Sequence, residues 1–119
     1  MYSKILVPLD GSQLAERALE PASDLARATD AELILLEVVQ DSLASVPEAH
    51  YHVPAKETYR SAIDSMKYLR EIAGRLHGQV KKVNWHVAEG DPIDGILSCA
   101  HHKDVDTIKM ATHGRTGAL

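Results

Sequence analysis

The sequence predicts an α/β fold, a three-layer, doubly wound parallel sheet with helices on both faces. Apolar runs rich in Ile, Leu and Val alternate along the chain with segments whose apolar residues recur every three or four positions. Strands that alternate with helices imply a parallel sheet with right-handed crossovers. Phe is absent and Trp occurs once, so the core must be aliphatic, which suits a parallel sheet buried on both faces.

The first strand and helix are predicted within the first thirty residues. Residues 3–10 (SKILVPLD) form a short apolar run that ends in turn-forming residues. Ser12 is a good N-cap, and the apolar residues after it have helical spacing. We expect one helix here, although Pro21 removes a hydrogen bond and can bend its axis.

The next strand and helix follow the same pattern. Residues 31–39 (AELILLEVV) show no alternation, as in a strand covered on both faces. A loop with two prolines comes next. From Lys56 a second helix of about five turns is predicted to end near Gly78, with an apolar stripe formed by Tyr59, Ala62, Met66, Leu69, Ala73 and Leu76.

The last predicted elements are a strand, a helix and a strand. Residues 80–90 alternate enough to form a strand near an edge of the sheet. Asp91 is expected to cap a helix that begins at Pro92. Residues 105–111 (VDTIKMA) are predicted as the fourth strand. The expected buried face of the third helix consists of Ile93, Ile96, Leu97 and Ala100.

Length and composition limit the classes of protein to consider. The 119 residues suit one domain spanning 1–119, with no repeat or linker. A net charge of −4 disfavours nucleic acid and anionic membranes as partners. No apolar run approaches the ~20 residues that span a bilayer, so we expect a cytoplasmic protein. Cys99 is the only cysteine, which excludes an internal disulfide.

Three segments are predicted to meet at the carboxyl ends of the strands, where open parallel sheets bind ligands. They are VPLDGS after the first strand, EVV at the end of the second and MATHGRTG after the fourth. Gly114 and Gly117 allow backbone N–H groups to approach an anion, and Arg115 can add a charged hydrogen bond. A surface turn without a ligand is the alternative interpretation of this glycine-bearing segment.

Asp10 needs a separate explanation, because a carboxylate repels phosphate. It can bind sugar hydroxyls, a magnesium ion or the amides of its own turn. The alternative for Asp10, Gly11 and Ser12 is a turn with a helix cap and no ligand.

Taken together, the motifs KILVPLDGS, LILLEVV, VAEGDPIDGIL and VDTIKMATHGRTG resemble the universal stress protein family in order and spacing over nearly the whole chain. The resemblance implies an adenine-nucleotide alpha-hydrolase-like fold, whose five strands are ordered 3-2-1-4-5. It also implies an adenine nucleotide, ATP with or without Mg²⁺, as ligand, and a homodimer as assembly. The expected order here is 3-2-1-4, with the C-terminal helix and fifth strand lacking.

The resemblance also assigns residues to a nucleotide site. Pro8 and Asp10 would flank adenine and ribose, and Val38 would lie against the base. Met110 would open the phosphate loop, in which Ala111 occupies the position of the family's first glycine and Gly114 that of the second. The loop residues His113 and Arg115 are candidate ligand contacts, whereas the family's later glycine and hydroxyl residue would fall beyond Leu119.

Three functional hypotheses follow. The first is an adenine-nucleotide-binding module that acts in stress responses through assembly, with at most slow, incidental ATP hydrolysis. The second is an interaction or dimerisation module of the same fold without nucleotide. An enzyme of a related fold is the third, although no catalytic residues can be named for it. Metal binding by His50 with His52 or by His101 with His102 is a further alternative, but neither pair forms a closed site by itself.

Overall fold

The structure, a computed structural model, describes residues 2–40 and 60–111. Within them, four parallel strands form one sheet in the order β3-β2-β1-β4, which confirms the predicted topology. The central pair aligns Lys4 with Glu32 through to Pro8 with Leu36. The strands are β1 (Lys4–Pro8), β2 (Glu32–Val39), β3 (Val83–Glu89) and β4 (Thr107–Ile108).

Two of the helices begin at the capping residues that the sequence predicts, Ser12 and Asp91. Ser12 Oγ accepts a hydrogen bond from Ala15 N at 3.1 Å, and an Asp91 carboxylate oxygen accepts one from Asp94 N at 3.0 Å. Such bonds satisfy amides that have no partner inside the helix. The four helices among the described residues are α1 (Gln13–Glu16), α2 (Leu19–Thr29), α3 (Ala62–Leu76) and α4 (Pro92–His102).

The single helix predicted after Ser12 is instead two helices. The chain leaves the helix at Arg17 and Ala18, and Pro21 is the third residue of α2. A proline cannot donate to the carbonyl four residues earlier, and its ring clashes with that carbonyl, which here belongs to Arg17. The sequence-based prediction allowed for a bend at Pro21. The structure instead shows a complete break in the helix, about one turn before the proline.

The core lies on both faces of the sheet. Alternate residues of the central strands, such as Val7 and Leu35, point towards α2 and α3, whereas Leu6 and Leu36 point towards α4. All four side chains are fully buried. The sheet is thus the middle of three layers, as predicted.

The predicted apolar stripes of α3 and α4 are partly wrong. In α3, Leu69, Ala73 and Leu76 are buried, but Met66 is 45% exposed. In α4, Ile93 and Leu97 are 68% and 60% exposed. The helix is rotated so that Gly95 lies against β2 and Cys99 is buried. Ile96 and Ala100 pack beside this contact. Ile93 and Leu97 are each two residues from Gly95, so they point about 160° away from it.

Two boundaries also differ from the predictions. The fourth strand contains only Thr107 and Ile108, although Lys109 N still donates to Leu6 O at 2.9 Å. Residues 56–59, where the second predicted helix was expected to begin, lie outside the described residues. Arg60 and Ser61 are not helical, and Ser61 caps α3.

Candidate functional site

A cavity of about 420 Å³ opens at the carboxyl ends of β1, β2 and β4. It lies where β1 has β2 on one side and β4 on the other, so that the strand order reverses there. Residues from all three strand ends, from α1, from the first turns of α4 and from the segment before α3 line it: Pro8, Leu9, Asp10, Ala15, Leu36, Glu37, Val38, Val39, Gln40, Arg60, Pro92, Ile96, Met110 and Ala111.

Five of the eight residues predicted for the site line this cavity. They are Pro8 and Asp10 from the end of β1, Val38 from β2, and Met110 and Ala111 after β4. Residues 113–115, on which the other predictions (His113, Gly114 and Arg115) fall, lie outside the described residues. The described part of the prediction therefore forms one surface, although its members are up to about a hundred positions apart in sequence.

The turn after β1 shows the helix cap that the sequence offered as an alternative to a ligand site. Asp10 Oδ1 accepts a hydrogen bond from Ser12 N at 2.9 Å, and Ser12 caps α1. Gly11 has a φ of 89°, which glycine adopts at little cost. The exposed Asp10 nevertheless lines the cavity. One carboxylate oxygen thus shapes the turn, while the residue still faces the site.

Ala111 occupies the position where the resemblance places a glycine. The described residues other than glycine that have positive φ are Asp30 and Asp104, so Ala111 has an ordinary backbone conformation. The alanine therefore causes no backbone strain at this position. Its remaining effect is the space that its methyl group occupies at the cavity.

Val38 lines the cavity and also packs against α4. A Cβ atom built on Gly95 would lie 2.7 and 2.9 Å from the two Cγ atoms of Val38. Real side chains do not approach so closely, because carbon atoms make optimal contact at about 3.5–4.0 Å. The first turns of α4 can therefore lie this near to β2 only because residue 95 is glycine.

Sequence reasoning missed an ion pair in the cavity wall between Arg60 and Glu37. Glu37 is 2% exposed. Its Oε2 accepts a hydrogen bond from Arg60 Nε at 2.6 Å, and its Oε1 accepts one from Arg60 Nη2 at 3.3 Å. The hydrogen bond to Glu37 raises the pKa of Arg60, against desolvation, which lowers it. The available signal was a glutamate inside the apolar run LILLEVV, because a buried carboxylate needs a partner.

Tyr68 supports the same guanidinium. Arg60 Cζ lies 5.1 Å from the centre of the Tyr68 ring, a distance typical of a cation–π contact. The Tyr68 hydroxyl donates to Glu16 Oε2. Burial is the main cause, and this hydrogen bond the second, of a raised pKa of Tyr68, so its hydroxyl stays protonated and neutral. Residues from α1, β2 and α3 are thereby joined beside the cavity.

The other candidate sites show simpler structural roles. Cys99 is a small buried residue, and burial raises the pKa of its thiol. His101 and His102 lie in the last turn of α4, where His102 Nδ1 donates to Ser98 O at 2.9 Å. No group of three potential metal ligands occurs within residues 2–40 and 60–111. His50 and His52 lie outside these ranges.

No helix in the part of the chain that the structure describes is both long and apolar enough to span a bilayer.

Comparison with known proteins is consistent with this architecture. The family model of the universal stress protein family matches residues 1–119. The chain is 31% identical over 122 residues to the universal stress protein MJ0531 of Methanocaldococcus jannaschii, covering 98% of this chain and 68% of that protein.

Solved structures have the same fold. The protein MJ0577 superposes with a TM-score of 0.72 at 30% identity, covering 95% of this chain and 76% of the other. A universal stress protein in complex with cAMP superposes with a TM-score of 0.69 at 24% identity, covering 92% and 75%. The match over the full sequence, together with the shared order of strands, shows that the chain belongs to the universal stress protein family.

Proposed function

We propose that this protein binds an adenine nucleotide, ATP, in the cavity at the carboxyl ends of β1, β2 and β4. The observation that carries the proposal is the convergence of Pro8, Asp10, Val38, Met110 and Ala111 on one surface. The volume of about 420 Å³ lies within the range of about 300–1,000 Å³ usual for small-molecule sites. The cAMP complex of a relative with the same fold supports the choice of ligand.

The chemistry of the wall suits the parts of such a ligand. Val38, Ile96 and Met110 offer apolar surface to a base. Asp10 uses Oδ1 in its own turn, which leaves Oδ2 as an acceptor for ribose hydroxyls. A neutral donor such as a hydroxyl is a better partner for this carboxylate than a phosphate, so we place the ribose beside Asp10.

The proposal includes binding without efficient turnover. The titratable side chains among the described lining residues are Asp10, Glu37 and Arg60. Glu37 is paired with Arg60, and we place the free oxygen of Asp10 beside the ribose, so neither carboxylate is arranged as a general base for water. We expect any ATP hydrolysis to be slow and incidental, with Mg²⁺ acting as a companion of the phosphates.

Calorimetric titration with ATP, with and without Mg²⁺, tests the proposal. The matched variants are Asp10→Asn, which keeps the acceptor for Ser12 N but removes the carboxylate, and Asp94→Asn on the exposed surface of α4. We expect Asp10→Asn to weaken binding about tenfold, as for the loss of a hydrogen bond to a charged group, and Asp94→Asn to leave it unchanged. No heat at millimolar ATP would exclude nucleotide binding, and equal affinities of the two variants would exclude Asp10 as a contact.

We further propose that nucleotide occupancy controls assembly into a homodimer, and that the protein acts in the cytoplasm during stress. Sedimentation with and without ATP tests the first part. A change of sedimentation coefficient with ATP supports it, whereas the same coefficient in both samples contradicts it.

A second candidate is an interaction module of the same fold that binds no nucleotide. The methyl group of Ala111 at the cavity favours this alternative, because the resemblance places a glycine there. Substitution Ala111→Gly distinguishes the two hypotheses. If the methyl group blocks the site, the variant gains ATP binding that the natural sequence lacks; if the natural sequence already binds ATP, the second candidate fails.

A further inference from the structure

We infer that Arg60, held by Glu37, binds a phosphate group of the nucleotide through its remaining N–H donors. The inference rests on the proposed function and extends it to a residue outside the glycine-bearing loop. It assigns to the segment before α3 a part in recognising the charged end of the ligand.

The donor count of Arg60 leaves room for such a contact. A guanidinium carries five N–H donors in a planar fork. Glu37 accepts from Nε and Nη2, which uses one edge of the fork and two donors. Three donors remain, two of them on Nη1. The Arg60 side chain is 36% exposed and lines the cavity, whereas that of Glu37 is 3% exposed. Arg60 is therefore much more accessible to a ligand than its partner Glu37.

Charge also singles out Arg60. It is the one cation among the described residues that line the cavity, where the other charged side chains are Asp10 and Glu37. Glu37 offsets the long-range field of Arg60, so the expected contact is a short-range, charge-assisted hydrogen bond rather than attraction from a distance. Phosphate oxygens suit this geometry, because arginine can bind them through two parallel N–H groups.

The guanidinium is held in place before ligand arrives. Tyr68 lies against it at 5.1 Å, and Glu37 fixes one edge. A Cβ atom built on Gly11 would lie 2.9 Å from both Cζ and Nη1 of Arg60. Glycine at position 11 thus lets the guanidinium lie directly on the turn that carries Asp10. A preorganised donor loses little freedom on binding, so its hydrogen bonds contribute more to affinity.

The test compares adenosine with AMP, because these ligands differ only in the phosphate. Calorimetry gives the ratio of the two association constants for the natural sequence, Arg60→Gln and Glu37→Gln. Arg70→Gln, on the exposed face of α3, is the matched control. We expect Arg60→Gln to lower the AMP-to-adenosine ratio about tenfold, the size of one charge-assisted hydrogen bond. Glu37→Gln removes the offsetting charge but keeps an acceptor for Arg60, so it should raise the ratio.

The AMP-to-adenosine ratio is expected to fall in Arg60→Gln and to rise in Glu37→Gln, and these opposite changes distinguish a ligand contact from a structural role. If Arg60 only supports the wall, both variants change adenosine and AMP binding alike, and an unchanged ratio overturns the inference. Should Arg60→Gln not fold because Glu37 is left as an unpaired buried charge, the double variant Arg60→Gln with Glu37→Gln replaces it. A ratio equal to that of the natural sequence in the double variant would then refute the contact. Failure of the natural sequence to bind adenosine, AMP or ATP would instead refute the proposed function.

Discussion

Substitution Gly95→Ala tests the close packing of α4 against the cavity wall. Alanine inside a helix is about 1 kcal/mol more favourable than glycine, so propensity alone predicts a more stable protein. The structure predicts the reverse, because the new methyl carbon would lie 2.7 and 2.9 Å from the two Cγ atoms of Val38. Val38 is β-branched and stiff at χ1, so it cannot move aside freely.

The size of the effect follows from two opposing contributions. Forcing a methyl group into a packed contact typically costs about 1–3 kcal/mol, against a gain of about 1 kcal/mol from helix propensity. We expect a net loss of about 1 kcal/mol in the free energy of unfolding. Val38 lines the cavity, so the displacement should also push it into the site and weaken ATP binding severalfold.

Gly74→Ala provides the control. Gly74 lies in α3, and nothing is within 4 Å of a Cβ atom built there. The same chemical change should therefore stabilise the protein by up to about 1 kcal/mol. Urea denaturation of both variants measures the difference, which we expect to be about 2 kcal/mol. If both substitutions raise the urea midpoint equally, the contact between Gly95 and Val38 does not constrain α4, and the reasoning about this wall is wrong.

Two further predictions concern the core and the pH dependence of stability. Leu35→Ala removes a fully buried side chain and should cost about 2–5 kcal/mol in chemical denaturation, whereas Leu97→Ala, 60% exposed, should change stability by less than about 0.5 kcal/mol; equal losses would contradict the orientation of α4. The N–H groups of Ser3 and Lys4 donate to Asp106 Oδ2 at 2.6 and 2.7 Å and lower the pKa of that carboxyl. Since the folded pKa is the lower one, this stabilisation is present above about pH 4 and disappears as the pH falls through the lowered pKa; Asp106→Asn should therefore flatten the acid limb of urea midpoint against pH, and an unaltered limb would argue against it.

Some features of the fold follow from local sequence because their causes are local. Ser12 and Asp91 cap helices with their own side chains, within three residues of the amides they satisfy. The parallel order of strands follows from alternating strand and helix patterns and from the handedness of the crossovers. Other features were mispredicted because the apolar residues of a helix can occupy a wider face than the part that packs against the sheet. Ile93 and Leu97 have the spacing of a buried face, yet Gly95 determines which side of α4 meets the sheet.

The sequence by itself determined the fold class, the order of elements and the strand ends where a ligand would lie. Periodicity, capping and chain topology act over a few residues or follow from general chirality, so one sequence suffices to infer them. Only the tertiary structure paired Glu37 with Arg60, 23 positions apart, and set the Arg60 guanidinium beside the turn at Gly11. No sequence pattern predicts such a pair, because it depends on how β2, the turn after β1 and the segment before α3 pack together.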